Sequence, residues 1–365
     1  MALLQAEAEK LSLPMLQQGV IDNIVTSDEL FSIVPFLPIS GRQYEYNREN
    51  TLGDAEFYDV NDSLGESAAT FSKITTKLTR LIGQVDVDEF LDSTMSDETD
   101  QAATQIAKKS KVVGRKYANA LINGNTAVRP KEFNGLRVLA DGLQASQILD
   151  AADAALSYDH LDWLLDQIKV GESPVFIMNS RTLRSYIKLQ RALGGTQPET
   201  LSIGGRVFMT YRGRPILKND WMPLVEDSAG TSRDDLVAWA AATVYATGAK
   251  VKATTGNTTL LFEATTGGTS HATTEPTWNT TVGGTTSDGT VTWTTRDATQ
   301  CRVMLAAMDE EDGVTGLMSR SNGGVQVITV GTLEDKDAMR YRVRWYPGLA
   351  LKSELALAQV RGINN

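Results

Sequence analysis

The composition of the chain changes abruptly at about Ala238 and changes back at Cys301. Between these points threonine is by far the commonest residue, glycine is frequent, and Leu, Ile and Met are almost absent. Three of the six tryptophans of the 365-residue chain lie in this stretch. A threonine-rich segment with a few large aromatic residues favours β-structure. We therefore predict an all-β module at residues 237–300, inserted into a parent domain that resumes at Cys301.

The first forty residues are predicted to form an arm and not a domain. Apolar residues recur at four-residue spacing at Leu16, Val20 and Ile24, which predicts one short amphipathic helix. Two closely spaced prolines, Pro35 and Pro38, then break both helix and central strand. A segment with one narrow apolar stripe and no core of its own needs a partner surface.

A long two-stranded hairpin is predicted to follow the arm. Tyr44 and Tyr46 alternate with polar residues, and alternation resumes between Lys73 and Thr79. The stretch between these strands is polar and offers little to bury, so the hairpin is expected to project from a core. Gly83 is expected to permit a β-bulge in the next strand.

The clearest helix of the sequence is predicted to begin after Ser96. Acidic residues lie in its first turn, basic residues lie toward its C-terminal half, and Asn123-Gly124 ends it. This order of charges matches the helix dipole, and glycine is a frequent helix stop. A narrow apolar stripe, Ile106, Val113 and Tyr117, predicts that the helix lies on a sheet and is otherwise solvated.

Residues 151–224 have the pattern of a compact α/β domain. The predicted elements are a helix started by Ser157 that ends near Ile168, a buried strand at Val175–Met178, a helix capped by Ser180 that ends near Leu193, and a hairpin that turns at Gly213. A final β stretch is predicted from Gly324 to Tyr346.

Charge and cysteine content exclude several classes of protein. The formal net charge of −10 argues against a protein that grips DNA or RNA, because phosphate binding needs a basic surface. Cys301 is the only cysteine, which excludes an intrachain disulfide and a multi-cysteine zinc site. No apolar run approaches the roughly 20 residues that span a bilayer, so we expect no membrane partner.

No residue constellation in the sequence predicts catalysis. His160 and His271 fall in different units, and His160 is expected to be a surface or capping residue. The phosphate-binding loop and the nucleophile elbow are absent. The acidic stretch at residues 309–313 lacks the carboxylate spacing that Ca²⁺ needs, so a solvated turn is expected. We predict that the chain is not an enzyme and has no catalytic residue, metal or cofactor.

Several phrases of the sequence resemble one branch of tailed-phage major capsid proteins, which have the HK97-type fold. They are Tyr46–Glu49, Gly83–Asp88, Ala120–Gly124, Glu132–Leu136, Met178–Leu183 and Tyr341–Ala350. Their order and spacing extend over nearly the whole chain apart from the insert. The resemblance implies an α+β, HK97-like capsid fold with an inserted all-β domain.

The resemblance also implies a division of the chain into domains. The expected parts are an N-terminal arm at 1–40, an extended loop (E-loop) at 41–84, a first part of the peripheral domain at 85–150, an axial domain at 151–236, the inserted β-module at 237–300, a return to the axial domain at 301–323, returning strands of the peripheral domain at 324–346, and a C-terminal axial segment at 347–365. In the family, the arm and the E-loop clasp neighbouring subunits.

The function that the resemblance implies is self-assembly into the icosahedral head that encloses a double-stranded DNA genome. The implied partners are other copies in hexamers and pentamers, a scaffolding protein, a portal protein, a decoration protein and non-specifically packaged DNA. The implied location is the virion capsid, assembled in the host cytoplasm. Some relatives join subunits through an E-loop lysine, but residues 43–72 contain no lysine, so that bond is expected to be absent. No long helical prodomain precedes the arm, which implies a separate scaffolding protein.

The insert resembles a small β-module of phage virion proteins that is similar to chitin-binding-type carbohydrate modules. The matching residues are Trp239, Tyr245, Gly248, Val251, Phe262–Thr265, Glu275–Trp278 and Asp288–Trp293. This resemblance implies a glycan or surface contact at Trp239, Tyr245, Trp278 and Trp293. The alternative is that these aromatic residues form the core of so small a module.

Three alternatives remain open. The same fold would suit an encapsulin-like nanocompartment shell, and the insert alone would suit a glycan-binding surface adhesin. Along the second predicted helix of the α/β domain, Arg181, Arg184, Lys188 and Arg191 form a basic row. This row is either a solvated helix face or a contact with another subunit or with the lumen.

Overall fold

The computed structural model describes residues 30–364, except residues 32, 56, 60–64, 96–100, 193, 195–199, 204–205, 228, 256–259 and 322. The predicted arm helix at Leu16, Val20 and Ile24 and the predicted helix start at Ser96 lie outside the described residues. The described helices are α1 Glu89–Met95, α2 Gln101–Asn123, α3 Leu136–Asp141, α4 Tyr158–Gln167 and α5 Ser180–Ala192. The described strands are β1 Phe36–Ile39, β2 Gln43–Thr51, β3 Thr70–Lys77, β4 Leu81–Asp88, β5 Ile148–Asp150, β6 Pro174–Met178, β7 Thr200–Ile203, β8 Arg206–Tyr211, β9 Arg214–Lys218, β10 Val244–Tyr245, β11 Lys250–Val251, β12 Leu260–Thr266, β13 Gly268–Thr269, β14 Thr285–Asp288, β15 Val291–Asp297, β16 Cys301–Ala307, β17 Val314–Ser319, β18 Gln326–Thr332, β19 Ala338–Trp345, β20 Pro347–Leu351 and β21 Leu357–Ile363.

The chain divides into two compact units. The first contains the described residues up to Val138 together with Met308–Ser353, and the second contains Leu139–Ala307 together with the residues from Glu354 onward. This grouping differs from the sequence-based division in three places. Residues 308–323 and 347–353, expected in the axial domain, lie in the first unit, because β17 pairs with both β1 and β20. Residues 139–150, expected in the peripheral domain, lie in the second unit. The names of the domains remain predictions.

The first unit is organised by the long helix and a three-stranded sheet. The sheet has the strand order β18-β19-β4, and α2 packs on β4 and β19. The ring of Tyr117 on α2 is fully buried, and its centroid lies 4.3 Å from that of Trp345 on β19. The helix ends at Asn123, as its Asn-Gly stop predicted. The prediction of one long helix lying on a sheet is confirmed.

The predicted bulge at Gly83 is wrong. Strand β4 pairs with β19 without a register shift from Leu81 to Asp88. Glycine is needed there for close packing instead, because a Cβ on Gly83 would lie 2.8 Å from Cγ of Lys109 on α2. The absent side chain therefore lets the helix approach the strand.

The predicted two-stranded hairpin is confirmed. Strands β2 and β3 pair with each other as an antiparallel two-stranded sheet, with Tyr46 opposite Ile74. Strand β1, which lies within the expected arm, pairs instead with β17 in the first unit.

The second unit is built on a mixed seven-stranded sheet with the order β5-β21-β16-β6-β9-β8-β7. Its central strands β16 and β6 are buried along their whole length, which explains their continuous apolar sequences. Helices α4 and α5 pack on this sheet through residues such as Leu161, Leu164 and Tyr186. The turn of the β8–β9 hairpin is Arg212-Gly213, both with positive φ, as predicted at Gly213.

Two helix starts in this unit can be compared with the sequence. Ser157 caps α4 in a capping box, in which His160 accepts from the backbone N–H of Ser157 through Nδ1. The predicted cap of α5 at Ser180 is wrong by one residue. Asn179 is the cap, because its Oδ1 accepts from the backbone N–H of Thr182 at 2.8 Å, and Ser180 is the first helical residue.

The threonine-rich insert forms two small sheets of its own. One has the order β11-β12-β15-β14 and the other pairs β10 with β13. The insert has an apolar core of its own, and its members are Trp239, Val251, Ala253, Leu260, Phe262, Ala264, Val291 and Trp293. The insert is thus all-β, within the compact second unit.

Candidate assembly surfaces

The base of the β2–β3 hairpin is fixed to its own unit. Arg48 donates hydrogen bonds to the carbonyl oxygens of Lys352 and Leu351, at 2.9 and 2.8 Å, and the hydroxyl of Tyr46 also donates to the Leu351 carbonyl. The ammonium of Lys352 lies 5.6 Å from the centroid of the Tyr44 ring. These contacts set the direction in which the hairpin leaves the unit.

The tip of the hairpin, residues 52–69, is acidic, and its described residues are exposed at 52–55, 57–59 and 65–68. Phe57 is fully exposed, and Leu52 and Phe71 at its root are mostly exposed. The tip contains five carboxylate residues and no lysine or arginine. Exposed large apolar side chains on one loop are a feature of interaction surfaces. The tip is therefore a candidate contact with another chain.

The sheet β18-β19-β4 has a second face, opposite α2. On β19 this face carries Arg340, Arg342 and Arg344 at alternate positions, because side chains two apart on a strand share a face. We call these three residues the arginine row. Ile82 on β4 is 40% exposed on the same face. The Arg-x-Arg-x-Arg alternation can be seen in the sequence. Only the strand register shows that Ile82 lies on the same face of the sheet.

The three members of the arginine row differ in the hydrogen bonds and ion pairs of their side chains. Arg340 forms a two-pronged ion pair with Asp86, at 2.6 and 2.8 Å. This guanidinium holds the pKa of the Asp86 carboxyl below its ordinary value, against a smaller opposing effect of burial. Arg344 donates to Oε1 of Gln326 at 3.3 Å. Arg342 has no ion pair or hydrogen bond from its side chain to any described residue, which leaves its charge available.

The basic row on α5 is only partly solvated. Arg184, Lys188 and Arg191 are exposed along one side of the helix. Arg181 instead donates to the carbonyl of Thr299 at 2.6 Å. Both interpretations of the row, solvated face or contact with another subunit or with the lumen, remain predictions.

The aromatic residues of the insert surround a buried carboxylate. Oδ2 of Asp288 accepts from the indole N–H of Trp239 at 2.8 Å and from that of Trp293 at 3.0 Å. Its Oδ1 accepts from the backbone N–H of His271 at 2.8 Å. Trp278 stacks on Phe262 with a centroid separation of 3.8 Å. The sequence included Asp288 only as part of a matching phrase, and no pattern in it indicated this role.

The burial of the four residues predicted to contact a glycan determines which of them have surface available for a sugar. The rings of Trp239 and Trp293 are buried and offer no face to a sugar in this conformation. Tyr245 and Trp278 are half-buried and retain some exposed surface. Glycan contact stays a prediction, and Tyr245 and Trp278 are the two positions with surface for it.

The fully buried side chain of Arg302 connects four segments of the second unit through hydrogen bonds. Arg302 donates to Glu226 at 2.5 Å, to Asp141 at 2.9 Å and to the carbonyl of Gly230 at 2.6 Å. Gln359 accepts a further bond from it at 2.9 Å. Although burial opposes the charge, the two carboxylates raise the pKa of Arg302. No pattern in the sequence indicated this network, because its members are far apart along the chain.

The residues considered for chemistry are not assembled into a reactive site. His160 is a capping residue, and burial lowers its pKa. The thiol of Cys301 is buried, which raises its pKa. Among the described residues, no group of three or more His, Cys, Asp and Glu side chains could hold a metal ion. No helix in the described part of the chain is long and apolar enough to cross a membrane.

Comparison by sequence relates part of the chain to an encapsulin shell protein. No family model matches the chain. The chain is 27% identical over 140 residues to the type 2A encapsulin shell protein SrpI of Synechococcus elongatus. The match covers 38% of this chain and 42% of SrpI, so it spans less than half of that relative.

Solved structures match the chain over almost its whole length. The holo-SrpI encapsulin complex from Synechococcus elongatus PCC 7942 matches with a TM-score of 0.61 and 17% identity, covering 100% of this chain and 97% of that one. The capsid of the native GTA particle matches with a TM-score of 0.59 and 13% identity, covering 98% and 97%. The capsid of Cyanophage P-SCSP1u matches with a TM-score of 0.51 and 9% identity, covering 98% and 94%. The predicted fold class is confirmed: the chain has the α+β, HK97-like fold of phage capsid and encapsulin shell proteins.

Proposed function

We propose that the chain is the major capsid protein of a tailed bacteriophage and assembles with itself into an icosahedral head around double-stranded DNA. The observation that carries this proposal is the hairpin tip. Phe57 and Leu52 leave large apolar side chains in contact with water in one copy, and burial against another copy accounts for them. The full-length structural match to phage-type capsids supports the same function.

The remaining parts of the proposal come from the resemblance. Copies would form hexamers and pentamers, with scaffolding, portal and decoration proteins as further partners and with packaged DNA held non-specifically. The net charge of −10 supports loose contact with DNA, because a container wall has no need to bind the polymer it encloses. The site of action would be the virion, assembled in the host cytoplasm, with a structural and not an enzymatic role.

An encapsulin-like nanocompartment shell is the second candidate. Its support is the sequence match to SrpI, since the phage-type capsids share only 9% and 13% identity with this chain. Particles purified from the native source separate the two functions. Encapsidated DNA, together with portal and terminase genes beside this one, favours the capsid, whereas a protein cargo favours the nanocompartment.

Truncation of the arm tests self-assembly for both candidates. The truncation should remove residues 1–28 and stop before Leu30, because Leu30 is buried and β1 belongs to the first unit. The expected product is a soluble, folded chain that no longer forms closed shells in electron micrographs. The full-length chain in the same buffer is the control. Regular icosahedral particles from the truncated chain would show that the arm is not needed for assembly.

A further inference from the structure

Two buried carboxylates that are neighbours in the sequence, Glu226 and Asp227, lie where the insert joins its parent domain. Glu226 is 2% exposed and accepts a hydrogen bond from the parent residue Arg302 at 2.5 Å. Asp227 is 4% exposed and forms an ion pair with Lys250 on strand β11 of the insert. Successive side chains of an extended segment point in opposite directions, and the backbone of Glu226 pairs with Gln300 as a strand does. We call Glu226 and Asp227 the acidic clamp, because one holds the parent and the other holds the insert.

The carboxylate of Asp227 is also fixed by its own backbone. Its Oδ1 accepts from the backbone N–H groups of Ala229 and Thr231, at 3.0 and 2.7 Å. The carbonyl of Gly230, which lies between those two residues, accepts from Arg302 at 2.6 Å. A Cβ on Gly230 would lie 2.2 Å from Nη2 of Arg302, so the backbone here packs directly on the buried guanidinium. The position of Asp227 is therefore set by the buried network of the parent domain.

Lys250 is attached just as firmly to the insert. The next residue on β11, Val251, is 1% exposed and belongs to the core of the insert. Lys250 lies opposite Glu263 on β12, and such a cross-strand carboxylate is an available partner for a lysine. Glu263 is instead paired with Arg296 at 2.8 Å, while Lys250 reaches Asp227 and donates to Oγ1 of Thr231 at 3.2 Å. The cation of the insert is thus directed to the parent domain.

We propose that the acidic clamp fixes the orientation of the insert on its parent domain. Breaking the ion pair between Lys250 and Asp227 then frees the insert to move about its stem, the paired residues Glu226 and Gln300, while both parts stay folded. Inserted domains move relative to their parent unless an interface holds them. A buried ion pair suits this role, because its desolvation offsets much of its attraction and its geometry is strict. This inference concerns the single chain and goes beyond the proposed function, so it does not depend on shell formation.

A distance measurement between the insert and the parent domain tests the proposal. Spin labels are attached to the full chain at Ser287→Cys on β14 and Lys188→Cys on α5, since both positions are exposed. The natural Cys301 is buried, and its raised pKa keeps it unreactive toward the label. Pulsed electron paramagnetic resonance gives the distribution of distances between the labels, and an excess of unlabelled chain removes contributions from pairs of copies.

The chain with only the two labels should give one narrow distance distribution. Lys250→Met should broaden it by about twofold or more, because the insert then moves relative to its parent. Lys250→Arg keeps the cation and should leave the distribution narrow. Arg296→Met is the matched control, since it removes an ion pair that lies wholly within the insert, and it should also leave the distribution narrow.

A second variant separates orientation from folding. Asp227→Asn/Lys250→Met removes both charges, so that no buried carboxylate is left without its cation, and it should broaden the distribution as Lys250→Met does. Tryptophan emission of each variant shows whether the insert is folded. A narrow distribution in both Lys250 variants that lack the cation would overturn the proposal, as would equal broadening in Arg296→Met. Unfolding of the insert in the double variant would also overturn it, because the pair would then stabilise the insert and not orient it.

Discussion

The buried carboxylate of the insert gives a sharp prediction: Asp288→Ala should unfold the module. Asp288 is 2% exposed and accepts three hydrogen bonds, from the indoles of Trp239 and Trp293 and from the backbone of His271. His271 is exposed, so water can replace its lost partner. The two indole N–H groups are buried and would remain unsatisfied.

The size of the effect follows from those two donors. A buried donor without a partner costs about 1–3 kcal/mol, so two of them cost about 2–6 kcal/mol. Whole domains are stable by only about 5–15 kcal/mol, and a module this small lies toward the lower end. Asp288→Ala should therefore leave the module largely unfolded. Asp288→Asn keeps one carbonyl acceptor and should lose only part of the stability.

Guanidinium denaturation followed by tryptophan emission is suited to this measurement. Three of the six tryptophans lie in the module, so its unfolding contributes strongly to the signal. Ser287→Ala, next along the same strand and exposed, is the control and should change stability by less than about 0.5 kcal/mol. An Asp288→Ala variant with the midpoint of the natural chain would refute the assignment of Asp288 as the centre of the module.

Three further predictions concern the parent units and the assembled shell. Arg302→Met should lower the free energy of unfolding of the second unit by about 3–5 kcal/mol in urea titrations, because the buried Glu226 loses its cation, and adding Glu226→Gln should recover part of it. Because Arg340 lowers the pKa of Asp86 in the fold, that pair contributes stability above the unfolded pKa of about 3.9 and loses it as the pH falls through the folded pKa. Urea midpoints measured across that range should therefore depend less on pH in Asp86→Asn than in the natural chain. With no lysine in residues 43–72, boiled particles should run as a single band near 39.7 kDa, and a ladder of covalent oligomers would contradict this.

The sequence predicted those parts of the fold whose signals are local. Alternation at Tyr44 and Tyr46 predicted the hairpin, the Asn123-Gly124 stop predicted the end of α2, and the break in composition predicted the insert. Each depends on neighbours along the chain, where spacing determines which side chains share a face. The prediction of Ser180 as the cap of α5 was wrong by one residue, because Asn179 is as good a capping residue and only the backbone conformation distinguishes the two.

Features that depend on long-range packing could not be predicted in this way. Gly83 is needed because Lys109 on α2 packs against it, and these two residues are not neighbours in the sequence. From the local sequence alone, a bulge is an equally reasonable interpretation. The carboxylates around Arg302 lie 76 and 161 residues away from it. The alternation of the three arginines was present in the sequence, but only the strand register places them on the face of the sheet opposite α2.

We predict that the inserted module can be removed without loss of the shell. The chain enters and leaves through a pair of backbone hydrogen bonds between Glu226 and Gln300, at 2.7 and 3.0 Å, so a short linker can close the gap. Replacing residues 237–299 with a Gly/Ser linker keeps the Arg302 network, whose partners lie outside the replaced segment. It removes Lys250, the ion-pair partner of Asp227, and Asp227→Asn in the same variant avoids leaving that carboxylate unpaired. Closed particles of normal diameter are expected in electron micrographs.

In natural particles, antibodies against the isolated module should label the outer surface, because an inward module in every copy would occupy genome volume. Unlabelled intact particles would contradict the outward location, and a linker variant that folds but forms no shells would show that the module takes part in assembly.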